Sequence, residues 1–277
     1  MTLVSTLIAS LTGAWGLACM VATLGYAVAS VPRQASWARW IARLAWAAQA
    51  VALAYDILDL QSPKPGARFG FAPALSFTIW MVIGVFLVER RGVIEAQLRR
   101  RLSAIAFLMV LLAWIFPGER HAHLSSPYEP VHWVLGLASY GLFGVAVVHA
   151  MLWSRADKQL RGKVPVTAQA GEAQTMPLLR IENLTFRFVA VGFVVLTLTL
   201  ILGSLFASPW RWDHKTVFSL LAWFVFLGLL LGRRHFGWRG KVAARWLYTG
   251  SVLLLLAYVG SRFVFEVVLH RLPTTPF

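Results

Sequence analysis

The sequence predicts an all-α, polytopic membrane helix bundle of about eight transmembrane helices, with both termini outside. Of its 277 residues, 58% are hydrophobic and only 13% are charged, whereas a soluble domain carries about 25% charged residues. The Lys and Arg residues cluster between long apolar runs, which is the pattern that orients membrane helices. Because these clusters account for the net charge of +15, we predict no nucleic-acid partner.

Eight apolar segments predict the helices. They cover approximately residues 3–30, 41–60, 72–88, 102–116, 131–153, 188–206, 216–231 and 246–268. A span needs about 20 residues, so the shorter segments indicate either local bilayer thinning or helices extended by flanking aromatic residues at the interface. Together the segments predict a single membrane domain over residues 1–277. The one cysteine, Cys19, excludes an internal disulfide, and we expect it to be a small buried side chain.

The basic residues predict the orientation of the helices. The stretches that follow the first, third, fifth and seventh segments hold three, five, six and five Lys and Arg residues, which is 19 of the 26 in the chain. Basic residues favour the cytoplasmic side, so these stretches are predicted to lie inside. Residues 61–71, 117–130 and 207–215 are then outer loops.

The longest predicted cytoplasmic loop covers residues 154–187. Its first part is basic, with Arg155, Lys158, Arg161 and Lys163, and a run rich in Gly, Ala and Gln follows. Beyond Pro177 apolar residues recur at helical spacing, which predicts an interfacial helix leading into the sixth span.

The outer loop 207–215 and the helix start after it combine aromatic and polar chemistry. Residues 209–223 include three tryptophans, two cations, an acid and a histidine. Such a stretch at the edge of a membrane bundle indicates a binding site. An aromatic belt without a ligand explains the same tryptophans and histidine, and Asp213 stands where a helix N-cap is expected.

The predicted topology brings most of the histidines to the outer face. Five of the seven lie in outer loops or at outer helix ends: His121, His123, His132, His214 and His270. Neutral imidazole is a good ligand for haem iron, Zn and Cu. His132 opens the fifth helix and His270 closes the eighth, so two rigid elements are placed to present them to opposite sides of a flat ligand. His149 is predicted to lie deep in the fifth helix, and His235 in an inner loop.

Two other charged pairs are predicted to be structural. Arg262 and Glu266 lie one turn apart on the eighth helix, where they are expected to neutralise each other. Asp56 and Asp59 are placed at the outer end of the second helix, near water. A proton or cation path through these acids is an alternative, but no chain of acids continues inward from them.

The tryptophan-rich stretch resembles the signature of a known family. Residues 210–215, with the letters WRWDHK, are similar to the W-x-W-D-P-K-E motif of the tryptophan-rich (WWD) cytochrome c assembly proteins, which handle haem at the outer face of energy-transducing membranes. The likeness covers residues 177–271 well, and the small eight-helix, HemX/YpjD-like branch looks most similar. Shorter matching segments are residues 74–80, 132–140, 219–223, 237–240 and 269–270.

The resemblance implies one haem b site at the outer face of a bacterial inner (plasma) membrane protein. Two histidines flank the tryptophan loop as axial ligands in the family, and by position they resemble His132 and His270. Residues from the loop and the following helix start are then expected to shape the site: Trp210, Arg211, Trp212, Asp213, His214 and Lys215. Of these, Arg211 and Lys215 are expected to pair with propionates, and His214 is the reserve ligand.

Some positions depart from the family pattern. His214 and Thr216 replace the signature proline and glutamate, and Gly232 stands where the family has an inner histidine. The sequence therefore predicts a haem-handling or haem-sensing protein without a catalytic site. Its partners are the lipid bilayer and a haem-pathway or cytochrome assembly protein. The alternative is a non-haem scaffold or regulator of haem biosynthesis or cytochrome assembly, which acts through a partner protein docked on loop 154–187.

Overall fold

The computed structural model describes residues 13–31, 37–60, 67–89, 96–121, 128–161, 178–206 and 213–263. Within these ranges the chain forms eight long helices. They are α1 Ala14–Ser30, α2 Trp37–Ile57, α3 Phe71–Val88, α4 Ala96–Ile115, α5 Glu129–Arg161, α6 Leu178–Phe206, α7 His214–Phe236 and α8 Gly240–Leu255, and α8 continues through a π-helical turn, Leu256–Gly260, to Ser261–Phe263. Each predicted span coincides with one helix, so the predicted helical membrane fold is confirmed.

Five of the described helices are long and apolar enough to cross a membrane, namely α3, α5, α6, α7 and α8 with its π-turn. Large apolar side chains on these helices are exposed, as expected where helices face lipid; Leu205 of α6 is 70% exposed and Phe224 of α7 is 60% exposed. The outward orientation of both termini stays a prediction.

The connection between α5 and α6 is shorter than the predicted inner loop 154–187. Helix α5 is 33 residues long and ends at Arg161, and α6 begins at Leu178. The interfacial helix predicted after Pro177 is continuous with the sixth span, because its apolar positions keep one helical phase with those of the span. This leaves residues 162–177 between the two helices.

The chain divides into two compact units, Met1–Ser125 and Ser126–Phe277. In the first unit, α1 packs against α2 and α4, and α3 packs against α2 and α4. Small residues allow the close approach of α1 and α2, because a Cβ added at Gly25 would lie only 2.8 Å from the Cβ of Ala45. This is the small-residue packing typical of membrane helices.

A short two-stranded sheet joins two of the predicted outer loops in the first unit. Strand β1 (Ala67–Phe69) pairs antiparallel with strand β2 (Glu119–His121). A Cβ added at Gly70 would lie 2.6 Å from the Cα of Gly118, so the two segments approach as closely as glycine allows. The hydrophobic pattern did not indicate this pairing, since each strand has only three residues.

The acids at the end of α2 are buried, which corrects the expectation that they lie near water. Asp56 is 3% exposed and Asp59 is 2% exposed. Asp59 adopts a left-handed backbone with a φ of 46°, and its Oδ1 lies 2.8 Å from Nε of Arg68 on β1. The ion pair therefore joins the end of α2 to this two-stranded sheet.

A polar cluster links three helices inside the first unit. The Tyr26 hydroxyl of α1 donates to Oε1 of Gln49 on α2 at 2.7 Å. The Gln49 amide in turn donates to the carbonyl and the hydroxyl of Ser76 on α3, each at 3.0 Å. Because the three side chains of this cluster are hydrogen-bonded to one another, the cluster fixes which faces of the helices meet.

Removing the Tyr26 hydroxyl is expected to destabilise the first unit. Tyr26→Phe leaves Oε1 of Gln49 without its donor, and interhelical hydrogen bonds in membranes contribute about 0.6–1.7 kcal/mol. We expect a lower apparent Tm of the purified protein in detergent. The control is Thr23→Val, which removes a hydrogen bond made only within α1, to the carbonyl of Cys19. Equal Tm values for the two variants would contradict the interhelical role.

The second unit is built on α5, which packs against α6 and α8, while α7 packs against α6 and α8. At its centre the rings of Phe143 and Phe226 stack with centroids 3.8 Å apart. Glycines on the neighbouring helices make room for them: an added Cβ would lie 3.2 Å from Phe143 at Gly192 and 2.7 Å from Phe226 at Gly250.

Helix α8 runs antiparallel to α5. The Trp153 ring, near the end of α5, covers Gly240 at the start of α8. Further along, the Tyr140 hydroxyl donates to the carbonyl of Leu254, and its ring meets Tyr258 edge-on at 6.4 Å. Following this register, the last described turn of α8 lies about level with the first turn of α5, which carries His132.

Candidate functional site

His132 is held in the first turn of α5 against α6. Its ring nitrogen Nδ1 lies 3.0 Å from the carbonyl oxygen of Thr199. A carbonyl oxygen only accepts hydrogen bonds, so Nδ1 carries the proton. In the neutral imidazole the lone pair is then on Nε2, which is the nitrogen suited to a metal ion.

Gly203 allows α6 to approach His132. A Cβ added at Gly203, one turn beyond Thr199, would lie 2.8 Å from Cε1 of His132 and 3.3 Å from its Nδ1. A Cβ added at Gly136, one turn after His132 on α5, would lie at an ordinary 3.8 Å from the Thr199 methyl group. The imidazole is half-buried, and its contacts with Thr199 and Gly203 fix the orientation of its ring.

The start of α7 carries the last three residues of the tryptophan motif. Asp213 takes the N-cap position with extended backbone, as expected, but its side chain makes no capping hydrogen bond. Instead its carbonyl accepts from the N–H of Val217 at 3.1 Å. Asp213 and His214 are exposed and Lys215 is half-buried. These three side chains therefore lie at the end of α7 nearest the tryptophan loop.

Trp223 of the same stretch has a packing role. Its indole N–H donates to the Thr197 hydroxyl of α6 at 2.9 Å, and its ring packs on Phe193 with centroids 5.4 Å apart. Thr197 is two residues from Thr199, so this contact joins α7 to the segment of α6 that seats His132.

The other predicted site residues divide between described and undescribed parts of the chain. Trp210, Arg211, Trp212 and His270 lie outside the described residues, as does His123. His149 is buried in α5, as predicted, and its Nδ1 lies 2.9 Å from the Val145 carbonyl. His235 is exposed at the end of α7, and the backbone of His121 belongs to β2 in the first unit.

Packing closes the opposite end of the second unit around Gly232. A Cβ added at Gly232 would lie 2.2 Å from the Trp238 ring, whose backbone N–H donates to the Gly232 carbonyl at 3.2 Å. Gly237, with a φ of 64°, makes the sharp turn between them. Any side chain at position 232 would clash with the Trp238 ring, so this packing has no room for the inner histidine that the resemblance places at this position in other members.

A small cavity lies near this closed end. Its volume is about 20 Å³, and its lining includes Trp153, Glu182, Thr185 and Gly240. Such a volume holds about one water molecule. The cavity is therefore not a porphyrin site.

Sequence reasoning missed the residues that seat His132. Thr199 and Gly203 are four positions apart on α6, which is the small-xxx-small spacing of close membrane-helix contacts. That spacing predicts a helix neighbour for this face of α6. It does not indicate that the neighbour is His132.

Comparisons with known proteins give one family match and several curated relatives. The family model described as cytochrome C assembly protein matches residues 70–269. Inner membrane protein YpjD of Escherichia coli K12 is 32% identical, with 81% of this chain and 85% of the relative covered. Cytochrome c biogenesis protein CcsA of Gloeobacter violaceus is 34% identical, with 69% and 74% covered, and that of Prochlorococcus marinus (strain SARG) is 29% identical, with 69% and 71% covered.

No solved structure gives a significant match. The YpjD match and the membrane-spanning helices confirm the predicted location, so this is a multi-pass protein of the bacterial inner membrane. The family match covers most of the chain, including α3 to α8. The chain therefore belongs to the cytochrome c assembly protein family.

Proposed function

We propose that this chain holds one haem b at the outer face of the membrane and that His132 is an iron ligand through Nε2. The observation that supports this most directly is the hydrogen bond between Nδ1 of His132 and the Thr199 carbonyl, at 3.0 Å. Metal-ligating histidines almost always donate their other ring N–H in this way, which fixes the tautomer and makes the ligand nitrogen more basic.

The contacts of His132 hold its imidazole in one orientation, so it is preorganised as an iron ligand. The ring is wedged between the Thr199 carbonyl and Gly203, so it does not have to be ordered when haem binds. Haem, when bound, supplies an iron centre whose properties depend on its axial ligands. The protein holds and orients this group, and we assign no catalytic residue.

His270 is proposed as the second ligand. It lies seven residues beyond Phe263, the last described residue of α8. The antiparallel register of α5 and α8, set by Trp153 with Gly240 and by Tyr140 with Leu254, places that end of α8 about level with His132. The support for His270 is therefore the direction of its helix, which runs toward the end of the unit that carries His132, together with the family resemblance.

The tryptophan motif is proposed to shape the haem site. Trp210, Arg211 and Trp212 come directly before Asp213 at the start of α7. Indole rings pack well on a flat apolar ligand, and a guanidinium group pairs with propionates in bidentate fashion. Lys215 is proposed to pair with a propionate, and the exposed His214 is the reserve ligand.

The packing around Gly232 favours holding haem over exporting it. Trp238 occupies the space that an inner histidine would need. Position 232 therefore cannot present a haem ligand at this end of the unit. We infer that the chain keeps or senses haem at one face and works with a haem-pathway or cytochrome assembly protein, in line with its family.

Absorption spectroscopy tests the proposal. Protein purified from haem-replete cells should show a Soret band, and the double variant His132→Ala/His270→Ala should lose it. Absence of the band from the unmodified protein would overturn the haem proposal and favour the scaffold or regulator. A pull-down with and without residues 162–177 would then test for the partner protein.

Gly203→Ala is expected to weaken haem binding without touching a ligand. The added Cβ would lie 2.8 Å from Cε1 of His132, so the imidazole must move and its hydrogen bond to Thr199 must lengthen. Loss of such a supporting contact costs about 10–100-fold in metal affinity. Titration of haem into the apoprotein, followed by Soret absorbance, measures this change.

The matched control is Gly136→Ala in the same helix contact. Its added Cβ would meet only the Thr199 methyl group, at an ordinary 3.8 Å. We expect unchanged affinity. Equal affinities for the two variants would mean that the orientation of His132 does not govern haem binding.

A further inference from the structure

A rim of basic side chains surrounds the turn between α7 and α8. Arg234 and His235 lie in the last turn of α7. Arg239 precedes α8, and Lys241 and Arg245 lie one turn apart near its start. All five side chains are exposed, and the connection between the helices is only residues 237–239. The rim therefore concentrates positive charge at one short hairpin.

The two described acids near this rim, Glu182 and Asp157, offset only part of its charge. Glu182 lies 3.9 Å from Nε of Arg239, with its own side chain 11% exposed, and Asp157 is 7% exposed. The neighbouring Arg233 is engaged differently, because its Nη2 donates to Asn183 at 2.8 Å. Within the described residues, the exposed rim thus keeps a net positive charge.

An apolar stripe continues from the rim along α8. Val242, Trp246, Val252 and Leu256 follow each other on the exposed side of the helix, with exposures of 45%, 36%, 54% and 45%. From the first to the last the stripe is about 21 Å long at 1.5 Å per residue. Near the basic end of the stripe, Trp246 packs closely on α7, because a Cβ added at Gly228 would lie 2.9 Å from the Trp246 ring.

We propose that the rim binds the headgroup of an anionic phospholipid, such as phosphatidylglycerol or cardiolipin, whose acyl chains lie along the stripe. Arginine and lysine pair strongly with phosphate, and basic sites between membrane helices on the cytoplasmic side bind such headgroups. A soluble acidic protein would match the rim, but it has nothing to place on a stripe that extends along the membrane-spanning part of α8. A phospholipid matches both.

Native mass spectrometry of the delipidated full-length protein tests the proposal. Phosphatidylglycerol should bind more tightly than phosphatidylcholine or free glycerol phosphate. Each basic residue at a membrane surface contributes about fivefold in affinity. The triple variant Arg234→Gln/Lys241→Gln/Arg245→Gln should therefore bind phosphatidylglycerol about 100-fold more weakly. The control Arg180→Gln/Arg187→Gln, which removes exposed arginines of α6, should lose less.

Salt provides a second test that needs no variant. Raising the ionic strength from about 0.1 M to 1 M shortens the Debye length from about 10 Å to 3 Å. Binding of phosphatidylglycerol to the unmodified protein should weaken and that of phosphatidylcholine should not.

Three results would overturn the proposal. The first is equal binding of the two lipids, and the second is equal binding of phosphatidylglycerol and glycerol phosphate. The third is a polyglutamate peptide that binds more tightly than phosphatidylglycerol and is lost in the triple variant, because the rim would then be a site for an acidic protein.

Discussion

Replacing His132 by alanine is expected to lower haem affinity by at least about 100-fold, because the loss of a ligand must exceed the 10–100-fold that loss of a supporting contact costs. The variant removes the one imidazole whose tautomer is set by the Thr199 carbonyl. Haem titration into the apoprotein and the haem content of purified protein both measure the change. We expect His270→Ala to have an effect of similar direction.

Two further experiments distinguish a ligand role of His132 from a purely structural role. Free imidazole added to His132→Ala should restore part of the Soret band, since it supplies the missing nitrogen. His132→Met should bind haem with a shifted spectrum, because a thioether changes the axial ligation. The control His235→Ala removes an exposed histidine at the end of α7 and should leave the spectrum unchanged. Full haem occupancy in His132→Ala would refute its assignment as a ligand.

The helices could be predicted from sequence because a bilayer imposes a simple rule. A spanning segment must be long, apolar and helical, so each of the eight apolar runs coincides with a helix. Helix ends were less accurate, because ends depend on local contacts. Helix α5 continues to Arg161, well past the predicted 153, since its last turns are polar yet still helical. The two-stranded sheet of β1 and β2 has too few residues to leave a pattern in the sequence.

Burial was the property least visible in the sequence. Asp56 and Asp59 are polar residues at a helix end, which favours exposure, but Arg68, nine residues further along the chain in β1, pairs with Asp59. The residue pattern does not indicate that the chain folds back so that these two side chains meet. The same holds for the reciprocal bonds of Trp46 and Trp80, whose indoles stack at 5.1 Å and each donate to the other's carbonyl.

The candidate site was predictable as a set of residue types but not as a geometry. Local patterns predict that His132 lies at the start of a helix and that Asp213 is an N-cap. They do not predict the contacts that orient the His132 ring, because these depend on α6 lying against α5 with Gly203 at the contact. The absence of a histidine at position 232 was visible in the sequence, whereas the Trp238 ring that fills the space beside Gly232 is visible only in the fold.

Gly232→Ala is expected to destabilise the protein strongly while leaving its haem content per folded molecule unchanged. The added Cβ would lie 2.2 Å, 2.5 Å and 2.6 Å from three atoms of the Trp238 ring. Overpacking of this kind costs about 1–3 kcal/mol. Trp238 cannot simply retreat, because its ring packs against Trp246 with centroids 4.9 Å apart, and Trp246 in turn covers Gly228. A lower apparent Tm in detergent should report the strain.

A double-mutant cycle identifies the clash as the cause. If the Trp238 ring is what the new methyl group meets, Gly232→Ala should cost much less stability in a Trp238→Ala background than in the unmodified chain. Contacting residues couple by about 0.5–3 kcal/mol. Gly136→Ala, with its nearest contact at 3.8 Å, controls for adding a methyl group to a helix. Additive effects would refute the clash. If Gly232→Ala instead lowers the haem content of the folded fraction, the closed end takes part in haem binding. The proposal that haem is held only at the outer face would then be wrong.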